Sequence, residues 1–241
     1  SGSSQADFDL GSRSLSARSG ASFSLGSLSG QAGSFLSGAS GGGNNTAVTY
    51  TIGGNHHDSD FAGAITNGNN TCSIIKTGNG RLVLNGASTH TGSTQIQSGS
   101  LVVNGSLANT AVTVSEGATL AGSGSLSGNL TLAANSKLGL AVTPSLTRGP
   151  SVGGNVNLLG TITVIAEDLG GTLAVGTYTL LEHTGTLSAN PQFVWSPPPG
   201  SPLTATFSVQ TNRIDLTLTD PRPGLTIWSE QRHGTNAASN L

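Results

Sequence analysis

Residues 80–107 read GRLVLNGASTHTGSTQIQSGSLVVNGSL, and no other stretch narrows the fold so far. Short apolar runs recur every few residues: Leu82-Val83-Leu84, Ile96, Leu101-Val102-Val103, Leu107. Gly, Asn, Ser and Thr fill the gaps. Each run is too short for a helix and ends at a Gly or Asn-Gly turn, the signature of short strands joined by tight corners. The pattern continues through Val112-Thr113-Val114, Thr119-Leu120, Ser125-Leu126 and Leu130-Thr131-Leu132. Apolar clusters spaced roughly ten residues apart, two or three to a coil, give coils of roughly 20–30 residues. The chain reads as all-β, a right-handed parallel β-helix or β-solenoid.

Composition agrees with that reading. Gly accounts for 36 of 241 residues, and charged residues for only 8%. Disordered chains usually carry high net charge and few β-branched residues; here the net charge is −2 and Val, Ile, Leu and Thr recur regularly. Tight corners need backbone conformations that Gly and Asn supply. Stacked coils place equivalent side chains ~4.8 Å apart, so like charges would repel while Thr, Ser and Asn can bond along the ladder. The charge balance offers no basic face for nucleic acid. No apolar run approaches the ~20 residues of a membrane helix, so this segment is not expected to insert into a membrane. The single cysteine, Cys72, alternates with polar neighbours on the side of Ile74 and reads as a buried small hydrophobe.

Three regions follow. Residues 1–45 are a Ser/Gly-rich stretch of weak solenoid coils or linker. Residues 46–220 are the solenoid with a partly antiparallel C-terminal β cap region. Residues 221–241 are a Pro-initiated tail with a short helix. Within the second region, Glu167-Asp168 reads as a turn, and Pro197-Pro198-Pro199-Gly200 as a hairpin loop. About eight to ten coils at ~4.8 Å would make a rod on the order of 40–50 Å long.

Leu84-Asn85-Gly86-Ala87-Ser88-Thr89-His90-Thr91-Gly92-Ser93-Thr94, followed by Gly99-Ser100-Leu101-Val102-Val103, closely resembles the autotransporter-associated β-strand repeat. That repeat runs L-x-G-x-N-x-Y-x-G-x-T, a short gap, then G-x-L-x-V. Ser88 and His90 stand where the repeat usually has Asn and Tyr. Residues 52–78 resemble the segment that leads into such a repeat, and Gly176-Thr177-Tyr178-Thr179-Leu180 the usual end of an array. The resemblance covers roughly residues 46–220. It implies a secreted or surface-exposed bacterial passenger-type β-helix, extracellular or held at the cell surface.

Chemistry is sparse. Asp58 and Asp60 beside His56 and His57 form the one dense polar cluster, and it reads as a solvated corner rather than a metal site. No Gly-x-Ser-x-Gly elbow or phosphate-loop helix is present. The sequence therefore predicts no enzyme, no catalytic, cofactor-binding or metal residues, and no cofactor. It points to a structural or adhesive module, either a rigid surface spacer or a subunit associating head-to-tail into filaments. Neighbouring domains of a longer chain and surface glycans are the other expected partners. Phe8, Phe23, Phe35, Leu225, Ile227 and Trp228 are the expected self-association residues. The alternative is a carbohydrate-binding or polysaccharide-cleaving β-helix. In that case three of Asp58, Asp60, Asp168, Asp215 and Glu182 should converge in one groove, within ~8 Å by the usual carboxylate logic.

Overall fold

A computed structural model describes residues 5–17, 22–39, 46–142, 147–168, 173–188 and 191–222. Three strands per coil stack into three faces. The third face is the most regular. It is a single 7-stranded parallel sheet, built in order from Ser22–Leu25, Val48–Ile52, Cys72–Lys76, Thr94–Ile96, Val112–Val114, Leu130–Leu132 and Val156–Leu158. Neighbouring strands in that stack are one turn apart, so its seven strands span a parallel β-solenoid of about 6 turns.

The first face begins with the parallel pair Asp7–Asp9 and Ser27–Ser29. A Gly30–Phe61 bridge links that pair to the sheet running from Ser59–Phe61 through Arg81–Leu84, Ser100–Val103, Thr119–Ala121, Lys137–Val142 and Thr161–Asp168 to Gln192–Ser196. The second face starts as Ser14–Ser16, Phe35–Ser37 and Ala64–Thr66. It continues through Ala87–Ser88, Ser106–Leu107, Ser125–Leu126 and Ser151–Val152 to Gly176–His183.

Strand alternation puts one column of side chains inside the coil and the next outside. Leu82, Leu101 and Leu120 are register partners, as are Leu84 with Val103 and Ile96 with Val114 and Leu132. All of them, with Val112 and Leu130, belong to one continuous buried core. Burying one such side chain contributes about 1.5–3 kcal/mol, so stability is spread along the stack. Cys72 is buried in the same core. The corners are tight enough to demand glycine. Gly78 has φ +69°, and a Cβ there would collide with the Gly53 carbonyl of the coil below.

The C-terminal end changes pattern. Gly176–His183 continues the second face in parallel with Ser151–Val152, but its other edge is antiparallel to Arg213–Thr219, which pairs antiparallel with Thr204–Val209. The all-β reading with a partly antiparallel C-terminal end is therefore what the chain adopts. Other expectations need correction. Residues 176–219 go largely into these longer strands, so the regular stack is shorter than eight to ten coils. Glu167 is not in a turn but in the strand Thr161–Asp168. Pro197–Gly200 does not close a hairpin: Gln192–Ser196 pairs with Thr161–Asp168 on the first face, while Thr204–Val209 lies at the edge of the second. The hairpin turn is at Gln210, whose N–H donates to the Arg213 carbonyl at 2.8 Å. The described residues contain no helix, and the expected tail helix lies outside them.

Candidate functional site

Asp58 immediately precedes the strand Ser59–Phe61 and Asp60 lies within it, and both side chains are exposed on the outside of the first face. The register sets Asp60 beside Val83 and Ser29 beside the Asp9 of the first coil. An open groove of about 340 Å3 results, lined by Ser27, Ser29, Asp58, Ser59, Asp60 and Arg81. Asp58 Oδ1 accepts the Arg81 backbone N–H at 2.7 Å. His56 takes φ +63° at the preceding corner, and its Nδ1 accepts the Asn79 N–H at 2.9 Å. His57 Nδ1 lies 3.2 Å from Asp7 Oδ2. Hydrogen bonds from Ser27 and Asn55, then His57, hold the Asp7 carboxyl below its usual range.

The cluster is thus a corner knitted to the coils on either side. Among the described residues, no group of His, Cys, Asp or Glu is arranged to hold a metal ion. The other named carboxylates lie elsewhere. Asp215 is almost buried and bonds Arg213 Nε at 3.0 Å. Glu182 lies 4.0 Å from Arg148 and lines a second open groove of about 300 Å3 with Ser151, His183 and Arg213. The Asp168 side chain lies outside the described residues. Of the four described carboxylates, Asp58 and Asp60 share one groove and Glu182 and Asp215 lie away from it.

Sequence reasoning missed Glu167. Burial pushes its carboxyl up from the ordinary value; Arg81 opposes that shift and Asp58 adds to it. Its strand end also lies against the outside of the first face, where a Cβ on Gly139 would meet Ala121 at 2.6 Å and Glu167 at 3.3 Å. There Val83, Val102 and Ala121 point outward yet are buried, as a second small apolar cluster. No local signal announces this, because Glu167 lies more than sixty residues from Arg81 in the chain.

The expected association residues divide. Phe8 and Phe23 are half-buried against the end of the core, with Leu10 and Leu15 beside them. Phe23 stacks on Tyr50, with ring centroids 5.6 Å apart. Phe35 faces outward and is 42% exposed, because its neighbour Leu36 takes the inward position. Leu225, Ile227 and Trp228 lie outside the described residues.

The two ends of the stack differ. At the first coil, Asp7–Asp9 and Ser22–Leu25 each end a sheet, with one edge unpaired by any described strand. At the other end the second face is covered by antiparallel strands, and the first ends at Gln192–Ser196, whose Val194 is 53% exposed.

A family model described as a passenger-associated-transport-repeat matches residues 74–103. That window covers about one and a half coils, from the third-face strand Cys72–Lys76 to the end of Ser100–Val103. The repeat and the solenoid together fit an autotransporter passenger β-helix repeat protein. No curated protein matches the chain.

Proposed function

We propose that this chain is a rigid extracellular spacer segment of an autotransporter passenger, and that it associates with a second copy through its N-terminal coil. The observation that carries the reading is the contrast between the two ends. The first coil presents two strand edges, Asp7–Asp9 and Ser22–Leu25, around Phe8 and Phe23, which is the geometry of strand addition. The complementary surface on the second copy is the Gln192–Ser196 edge, which gives a head-to-tail contact. Such a contact does not close on itself and builds filaments. With charged residues at only 8%, little repulsion opposes the stacking.

Sedimentation velocity over a concentration series tests this. The wild-type chain should shift to larger species as concentration rises. Ser24→Lys, an exposed edge position, should hold it as a monomer while leaving the fold intact. A wild-type chain that stays monomeric near millimolar concentration would exclude the association.

The groove at Asp58, Asp60 and Arg81 favours a second reading, a glycan-binding face. Serine hydroxyls, carboxylates and a guanidinium sit together there, the mixture that pairs with sugar hydroxyls. Loss of glycan-array binding in Arg81→Ala, with sedimentation unchanged, would select it.

A further inference from the structure

The corner joining the second to the third face, inside the matched repeat, holds a chain of polar groups in an otherwise apolar interior. His90 is fully buried. Its Nε2 lies 2.9 Å from Thr94 Oγ1, which lies 3.1 Å from Thr110 Oγ1. The Thr110 hydroxyl donates to the Gly92 carbonyl at 2.6 Å. A carbonyl only accepts, so this last bond sets the direction of the rest. With its proton committed to Gly92, Thr110 accepts from Thr94. Thr94 then accepts from the ring, so the neutral imidazole carries its proton on Nε2. The other nitrogen, Nδ1, is left as a bare lone pair, buried and without a hydrogen-bond partner.

We propose that His90 is an acid-operated release for this corner: a proton arriving at Nδ1 puts a charge and a second N–H where no acceptor is free, and the coil opens to water. The relay cannot absorb the proton, because every hydroxyl in it already donates onward. The Ile65 carbonyl favours the charged ring, but it already accepts the N–H groups of Thr89 at 2.8 Å and of His90 at 3.2 Å. Burial dominates and pushes the imidazole down to about 4. The elements packed around the corner supply no counter-charge. The Cys72 thiol of the adjacent third-face strand is pushed up to about 12 by burial and stays neutral. On the same strand, the Lys76 ammonium binds carbonyls of two other corners, at Thr77 and Gly78 and at Ser98 one coil later. The relay joins Thr110 of one coil to His90 of the coil before it, and His90 and Ser88 also take part in bonds to Ile65 one coil earlier. One proton therefore loosens three coils.

The sign follows from the two states. An unfolded histidine titrates near 6.5 and the folded one near 4. The stabilisation is complete above about 6.5 and is lost as pH falls from there to about 4. The opening equilibrium should rise ~10-fold per pH unit, and up to ~300-fold in all.

His90→Gln tests the proposal, since its side-chain amide can still donate to Thr94 but does not titrate. Two readouts apply: the ring's nitrogen and carbon chemical shifts, and amide hydrogen exchange at Ile65, Thr89 and Thr94 between pH 7 and 4.5. We expect an Nε2–H ring at pH 7 that stays neutral well below pH 6. We also expect wild-type protection to fall about tenfold per unit relative to His90→Gln. An Nδ1–H ring, a ring titrating near 6.5 in the folded chain, or equal pH dependence in the two proteins would each overturn the proposal. Should His90→Gln fail to fold at pH 7, the ring titration of the wild-type chain decides alone.

Discussion

Lys76 offers the sharpest test of the inward register. Its ladder partners on the third face are Ile52 and Ile96, so alternation sends a lysine into the core. The side chain is 1% exposed. Its Nζ donates to the carbonyls of Thr77 at 2.6 Å, Gly78 at 3.1 Å and Ser98 at 3.3 Å, tying two successive corners together. Burial pulls the ammonium down to about 8 from 10.5, with Asp58 partly opposing the shift. The folded value lies below the unfolded one, so the fold penalises the protonated form. That penalty is complete below about pH 8 and is relieved as pH rises from 8 to 10.5. One unit above the folded value the relief is about 1.4 kcal/mol.

The perturbation is Lys76→Met, which keeps the length of the side chain and removes the titration. Urea unfolding at pH 7, 8 and 9 gives the stability difference between wild type and variant. Its offset at pH 7 mixes lost hydrogen bonds with relieved desolvation, but the slope with pH does not. The Cys72 thiol and Tyr50 hydroxyl, both pushed to about 12 by burial, lose stability at alkaline pH in both proteins and cancel. Wild type should gain about 1.4 kcal/mol on the variant between pH 7 and 9, with an unchanged m value. A difference that stays constant, or moves the other way, would refute an inward, desolvated Lys76.

Two further outcomes follow from the same core. Val103→Asp places an unpaired carboxylate at a fully buried position and should destabilise the chain by several kcal/mol, on the order of 3–5, read as a lower urea midpoint. Cys72 should resist alkylation at pH 8 in the native chain and react promptly in urea, because its thiol is buried and held protonated; rapid native labelling would place it outside the core.

The inward columns were legible because each rests on residues two apart between glycine corners. Leu82 with Leu84 and Leu101 with Val103 announce their own register. Phe35-Leu36 was not resolved in this way: both are apolar, only one can point inward, and Leu36 does. The outward burial of Val83, Val102 and Ala121 was hidden because alternation assigns those positions to solvent, and only the coil-to-coil register brings the three together. Asp58 and Asp60 could be seen to share a side. That Ser27, Ser29 and Arg81 complete their groove requires the coil-to-coil register, which depends on corner lengths throughout the stack. Pro197–Gly200 looked like a hairpin because strand-turn-strand sequences are alike whether the second strand pairs with the first or crosses to another face.

Hydrogen exchange followed strand by strand, at low and high protein concentration, tests the central claim most directly: a stack whose second face is covered at the C-terminal end, and which associates through its first coil and the Gln192–Ser196 edge. Dilute protein should show weak protection in Asp7–Asp9, Ser14–Ser16 and Ser22–Leu25, and strong protection in the middle strands such as Ser100–Val103 and Val112–Val114. Raising the concentration should protect the first-coil amides and those of Gln192–Ser196, and leave the antiparallel pair Arg213–Thr219 and Gly176–His183 as it was. A protection pattern that does not change with concentration, or gains confined to the antiparallel strands, would contradict the account.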